Sequence, residues 1–177
     1  MKMTKVFLIL FIMIGGTFFT YAQTPYAQWA QLKEDIPDGA ANSYENMKQN
    51  TPERNWIDLP PYPGAKIIHT SQSTQSIDDS QNPELPTVTL ISSDPTEKVI
   101  SVYKDLIQDY PKWRWDNNVK IFYKGNLQDA LNRHAPYIQV TPIKSEEPDL
   151  IYISSDELAV ANSKIVVCYN PDSVRQN

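Results

Sequence analysis

The sequence predicts an α+β fold: a single antiparallel sheet covered on one face by a principal helix, in the order β-β-α-β-(α)-β-β-β. Three observations carry this. A proline-locked turn at residues 59–65 separates a leader and arm from everything that follows. Beyond it, short runs rich in β-branched and aromatic residues are joined by connections short enough to favour antiparallel neighbours. Among those runs lies one strongly amphipathic helix, which needs a sheet to bury its apolar side.

The turn reads Leu59-Pro60-Pro61-Tyr62-Pro63-Gly64-Ala65. Three prolines in four positions fix φ and remove backbone donors, so the segment is neither helix nor central strand. Gly64 permits the sharp turn into a first strand over 66–70, with Ile67 and His69 on one face and Ile68 on the other. Residues 71–86 are polar and read as a loop, and 87–92 form the returning strand with Val88 and Leu90 inward. Asp94-Pro95-Thr96-Glu97 has the spacing of a capping box, with Asp94 as N-cap and Pro95 at the first helical position. Val99, Tyr103 and Leu106 then fall on the face to be buried, and Pro111 ends the helix.

Trp113 and Trp115 alternate like strand residues and cap the core. A strand is expected over 119–124, broken by Gly125, then a short helical segment over 127–133. The next strand, 137–143, is entered by Pro136 and left after Pro142, which suggests an edge position. Strands over 150–154 and 164–169 close the sheet, joined by a short helical turn at most.

Residues 1–22 read as a secretory signal peptide. Lys2 and Lys5 make a positive start, an apolar run follows from Val6, and Thr20-Tyr21-Ala22 places small residues where cleavage after Ala22 would need them. A spanning helix needs about 20 apolar residues, and Gly15, Gly16 and Thr17 interrupt this run, so no stable membrane span is expected after cleavage. The organisation expected is therefore signal peptide 1–22, a partly helical N-terminal arm 23–58, and an α+β domain 59–172. The location expected is exported, periplasmic or secreted.

The chain carries a net charge of −5, and losing Lys2 and Lys5 makes the remainder more acidic. No basic stripe is visible, which argues against a nucleic-acid partner. Cys168 is the single cysteine, so no internal disulfide forms, and its apolar flanks read as a buried thiol.

The entry turn, the two strands after it, the Ser93-Asp94-Pro95 helix start, Val102-Tyr103-Lys104 and the tryptophans at 113 and 115 resemble a family of exported bacterial domains. Its members share a Tyr-Pro-Gly-Ala turn, a Thr- or Ser-Asp helix cap and an aromatic pair before a tryptophan. The resemblance spans residues 57 to about 124. Val102 stands where an aromatic is common, and a proline rather than a glycine leads into the tryptophans. It implies a sheet-plus-helix fold and an envelope location, and it brings no catalytic residues.

Five glycines leave no phosphate-cradling loop, and no serine sits in a Gly-x-Ser-x-Gly elbow. His69 and His134 belong to no metal-binding pattern. The acid pairs Asp78-Asp79 and Glu146-Glu147 lack the alternate spacing and glycine of a calcium loop. No catalytic, cofactor or metal site is assigned, and no cofactor is expected. What stands out is aromatic content: ten tyrosines and four tryptophans. Tyr123, Tyr137, Tyr152 and Tyr169, on alternating strands, cannot all face the core, and they are the candidate platform for an envelope protein, peptide or glycan. The function expected is a non-enzymatic exported binding domain. The alternatives are a secreted hydrolase built from dispersed residues and an accessory subunit of an envelope assembly.

Overall fold

Prolines 60, 61 and 63 hold the entry segment rigid, and Gly64 makes the turn at φ +73°, a conformation L side chains rarely adopt. The turn delivers the chain into strand β1 (Lys66–Ser71), which pairs with β2 (Thr87–Ser92). In this computed structural model, residues 25–36, 47–49, 51–52, 57–72, 84–143 and 153–171 are described. The expectations for the signal peptide, for most of the polar loop, for both acid pairs and for Tyr152 lie outside the described residues.

After β2 come helix α2 (Thr96–Leu106), strands β3 (Trp113–Asp116) and β4 (Ile121–Lys124), helix α3 (Leu127–Leu131), strand β5 (Tyr137–Pro142), helix α4 (Ser155–Val160) and strand β6 (Ser163–Cys168); helix α1 (Pro25–Glu34) precedes the entry turn. The six strands form one antiparallel sheet in the order β1-β2-β6-β5-β4-β3. The α+β class is as expected. The element order is corrected at two places. The tryptophan segment is a true edge strand, because Trp113, Arg114, Trp115 and Asp116 each find a partner on β4. Ile153 and Ser154, in contrast, are not strand: Ser154 caps α4 instead.

β2 lies at the second position of the sheet and β3 at its far edge, so the connection between them must cross the sheet. Helix α2 makes that crossing and packs on β5 and β6. Val99 and Tyr103 of α2 are buried against Phe122, Ile138, Val140, Ile165 and Val167; each such side chain is worth about 1.5–3 kcal/mol of burial. Leu106 packs on the same core but only half-buried. Trp29 of α1 enters this core too, its indole N–H donating to the Leu59 carbonyl at 2.9 Å. On the opposite face a small second core forms from Ile68 and Ile91 under Leu158 and Ala161.

Four local expectations give way to packing. The register shifts between Ile67 and His69, so β1 bulges. Ile67 stays with the main core, whereas His69 pairs with Thr89 on the other face, contrary to strict alternation. β4 starts at Ile121, because Lys120 at φ 55° belongs to the preceding turn. β5 is interior, between β6 and β4, yet it pairs with β4 only through residues 137–139. Pro142 therefore sits where β4 has already ended, and a missing N–H there disrupts no ladder. Finally, Asp94 does not cap α2. Pro95 is the N-cap without a side-chain bond, and the Asp94 carboxylate accepts instead from the Tyr62 hydroxyl and from Lys98, each at 2.7 Å. A true capping box does occur, between Ser154 and Glu157 at the start of α4.

Candidate binding groove

The entry segment, the start of α2 and the β3–β4 hairpin are joined to one another in space. Tyr62 from the entry turn donates to Asp94 from the helix start, and Asp58 accepts from Trp113 Nε1 and Lys124 Nζ, both at 2.9 Å. Burial, then the neighbouring Asp94 carboxylate, pushes the Tyr62 hydroxyl up to about 12. Lys98, then Tyr62, holds the Asp94 carboxyl below its usual value. These bonds staple the turn to α2 and to the β3–β4 hairpin, which is a structural task.

The predicted tyrosines divide. The register places Ser71, Thr87, Cys168, Tyr137, Tyr123 and Arg114 in one row across the sheet, on the face away from α2. Tyr123 and Tyr137 are thus neighbours, both half-buried. Tyr169 lies elsewhere: it is 2% exposed, and its side chain belongs to the main core. Beside Tyr137 lie Cys168, Arg133 and Glu84, the last two paired at 2.7 Å. Burial pushes the Cys168 thiol up to about 12, against the opposing pull of Arg133, so it is a protonated, inert thiol at neutral pH. His69 on β1 and His134 before β5 are three strand positions apart in the sheet order, on the order of 14 Å at ordinary strand spacing. Among the described residues no three His, Cys, Asp or Glu side chains gather as a metal ion would need.

A groove of about 820 Å³ opens on the α2 side of the sheet, where β5 runs on beyond the end of β4. Ligand sites commonly measure about 300–1,000 Å³. One wall is the exposed side of α2, with Glu97, Ser101 and Lys104; the other is the β3–β4 turn, with Asn117, Val119 and Lys120. Between them lie Trp115 of β3 and the 139–141 stretch of β5, which turns Val140 to this side and Gln139 and Thr141 to the opposite face.

Trp115 is held by contacts that the alternation of β3 sets up. Trp113 turns into the core, and two residues on, Trp115 reaches the same side nearer the sheet's corner. Its ring lies 4.5 Å from Phe122, centroid to centroid, with Lys104 Nζ 4.6 Å from the ring. The indole N–H is enclosed and has no hydrogen-bond partner, unlike those of Trp29 and Trp113. A buried donor left this way costs about 1–3 kcal/mol. The turn beside it is fixed by Asp116, whose carboxylate accepts from the backbone N–H groups of Asn118 and Val119 at 2.8 and 3.0 Å.

Both tryptophans pack on the core as the alternation predicts, Trp115 only partly, and the groove that its ring borders was not foreseen. The available signal was the two-residue spacing of Trp113 and Trp115 on a strand ending in Asp-Asn-Asn, a turn sequence that leaves the second ring at a rim. Comparison of the chain with family models, with curated proteins and with solved structures finds no match. No helix among the described residues is long and apolar enough to cross a membrane.

Proposed function

We propose that this protein is an exported, non-enzymatic binding module of the cell envelope and that its ligand lies in the groove between α2 and the β3–β4 turn. The observation that carries the reading is Trp115, a large aromatic ring bordering an open groove with the exposed Lys104 side chain over it. Aromatic rings with a polar handle are the side chains most enriched where proteins bind partners. Neutral hydrogen-bonding side chains stand on both walls, Ser101 of α2 and Asn117 of the β3–β4 turn. Such groups select a ligand by orientation without activating it. Export is supported by the leader pattern of residues 1–22, and the expected first residue of the exported chain is Gln23.

Ser101 is exposed on the groove wall, so Ser101→Trp fills the groove without touching the core. Arrays of oligosaccharides and of peptides, probed with wild type and with this variant, test the reading. Wild type is expected to retain a ligand that Ser101→Trp loses. Retention of every ligand by the filled variant, or no ligand on either array, rejects the groove as the binding site. The leader is tested by the intact mass of exported protein, where a product still carrying Met1 rejects export by cleavage.

A further inference from the structure

We infer that the groove takes a carboxylate-bearing oligosaccharide, with a sugar ring over Trp115 and the carboxylate between Lys104 and Lys120. The inference rests on the binding reading above and adds the ligand class. Two cations line the groove against one acid, Glu97, in a chain whose net charge is −5. Neither Lys104 nor Lys120 is joined to an acid among the described residues; Lys104 lies over the Trp115 ring instead. A sugar ring approaching the indole displaces an exposed ammonium that is free to swing towards an anion.

Lys120 departs from local preference in the same place. It sits at φ 55°, where a turn favours glycine or asparagine, although Asn117 and Asn118 stand just before it. A lysine in the left-handed region on a groove wall is the kind of local conflict found at working sites. The remaining contacts suit hydroxyl groups: the Ser101 hydroxyl on one wall and the Asn117 amide on the other offer donors and acceptors in both senses. An extended peptide is less well served. The part of β5 that outruns β4 ends in Pro142, which has no N–H to give an added strand.

The probe is tetragalacturonate, set against its methyl ester and against a hexaglutamate peptide. The readout is the indole N–H resonance of Trp115, with that of Trp113, already bonded to Asp58, as internal control. Tetragalacturonate is expected to move the Trp115 resonance and leave Trp113 in place. The ester, and the Lys104→Gln and Lys120→Gly variants, are each expected to bind about tenfold more weakly, as the loss of one charge-assisted contact implies. Glycine suits the backbone at 120, so that variant keeps its fold. An unmoved Trp115 resonance at millimolar sugar, equal affinity for acid and ester, or tighter binding of hexaglutamate overturns the inference. A neutral sugar that binds in wild type and is lost in Ser101→Trp overturns the carboxylate assignment alone and leaves the binding module standing.

Discussion

Asp58 accepts hydrogen bonds from Trp113 and Lys124, side chains 55 and 66 residues further along the chain. Burial raises its carboxyl, and the bonds from Lys124 and Trp113 together more than reverse this, so the folded value lies below the ordinary one. The contribution of such a group is complete above the unfolded value, about 3.9, and fades as the pH falls through the folded value. With the side chain 41% exposed, Asp58→Ala should cost only about 1 kcal/mol at pH 7 in urea unfolding. The gap to wild type should narrow between about pH 4 and 2; an unchanging gap would show that the carboxylate's charge is irrelevant. Two tyrosines make an opposed pair. The Tyr62 hydroxyl donates to Asp94, whereas that of Tyr103, near the Tyr62 main chain, is buried without a well-formed hydrogen bond. Tyr62→Phe should therefore destabilise the protein, and Tyr103→Phe should be neutral or raise the melting temperature. A marked loss in Tyr103→Phe would mean that its hydroxyl has a partner after all.

Elements were legible where periodicity was strong and obscure where one residue decided them. The α2 pattern of Val99, Tyr103 and Leu106 needed only a sheet to lie on, and the structure supplies one. Its cap was misjudged because spacing cannot reveal that Tyr62, from 32 residues earlier, claims the Asp94 carboxylate. The same motif chemistry went unused at Ser154-Ser155-Asp156-Glu157, where the serine accepts from the Glu157 N–H and the glutamate closes the box. Helix α4 has six residues and no fully buried side chain, so its own propensity and packing do little to hold it. Ser154→Ala should cost about 1 kcal/mol. Hydrogen exchange should show the loss within residues 155–160, where Leu158 covers Ile68 and Ile91. Uniform loss across the sheet would show that α4 and the sheet unfold as one unit. Edge and interior were likewise unreadable from Pro142 alone, because the length of β4 sets what a neighbouring proline interrupts.

At the scale of the whole molecule, the question is whether the arm is an accessory or part of the core. Composition separated residues 23–58 from the domain, and nothing in that stretch announces that Trp29 is buried in the main core. Trp29 is 2% exposed, clusters with Ile57, Leu59 and Tyr62, and ties its indole N–H to the Leu59 carbonyl. The proline turn has few donors of its own, and its rigidity is useful only if its apolar side chains are covered. Helix α1 supplies part of that cover, while Ala65 and Ile67 continue the same seam onto β1. Trp29→Ala should thus cost about 3–5 kcal/mol, the range for emptying a large aromatic site. That is a large share of the 5–15 kcal/mol typical of a domain. Because the core beneath the turn is continuous with that beneath α2, the loss should appear as one earlier cooperative transition by tyrosine absorbance and by circular dichroism alike. An early transition confined to the N-terminal segment, followed by unfolding at the wild-type midpoint, would instead show an arm that docks on a domain complete without it.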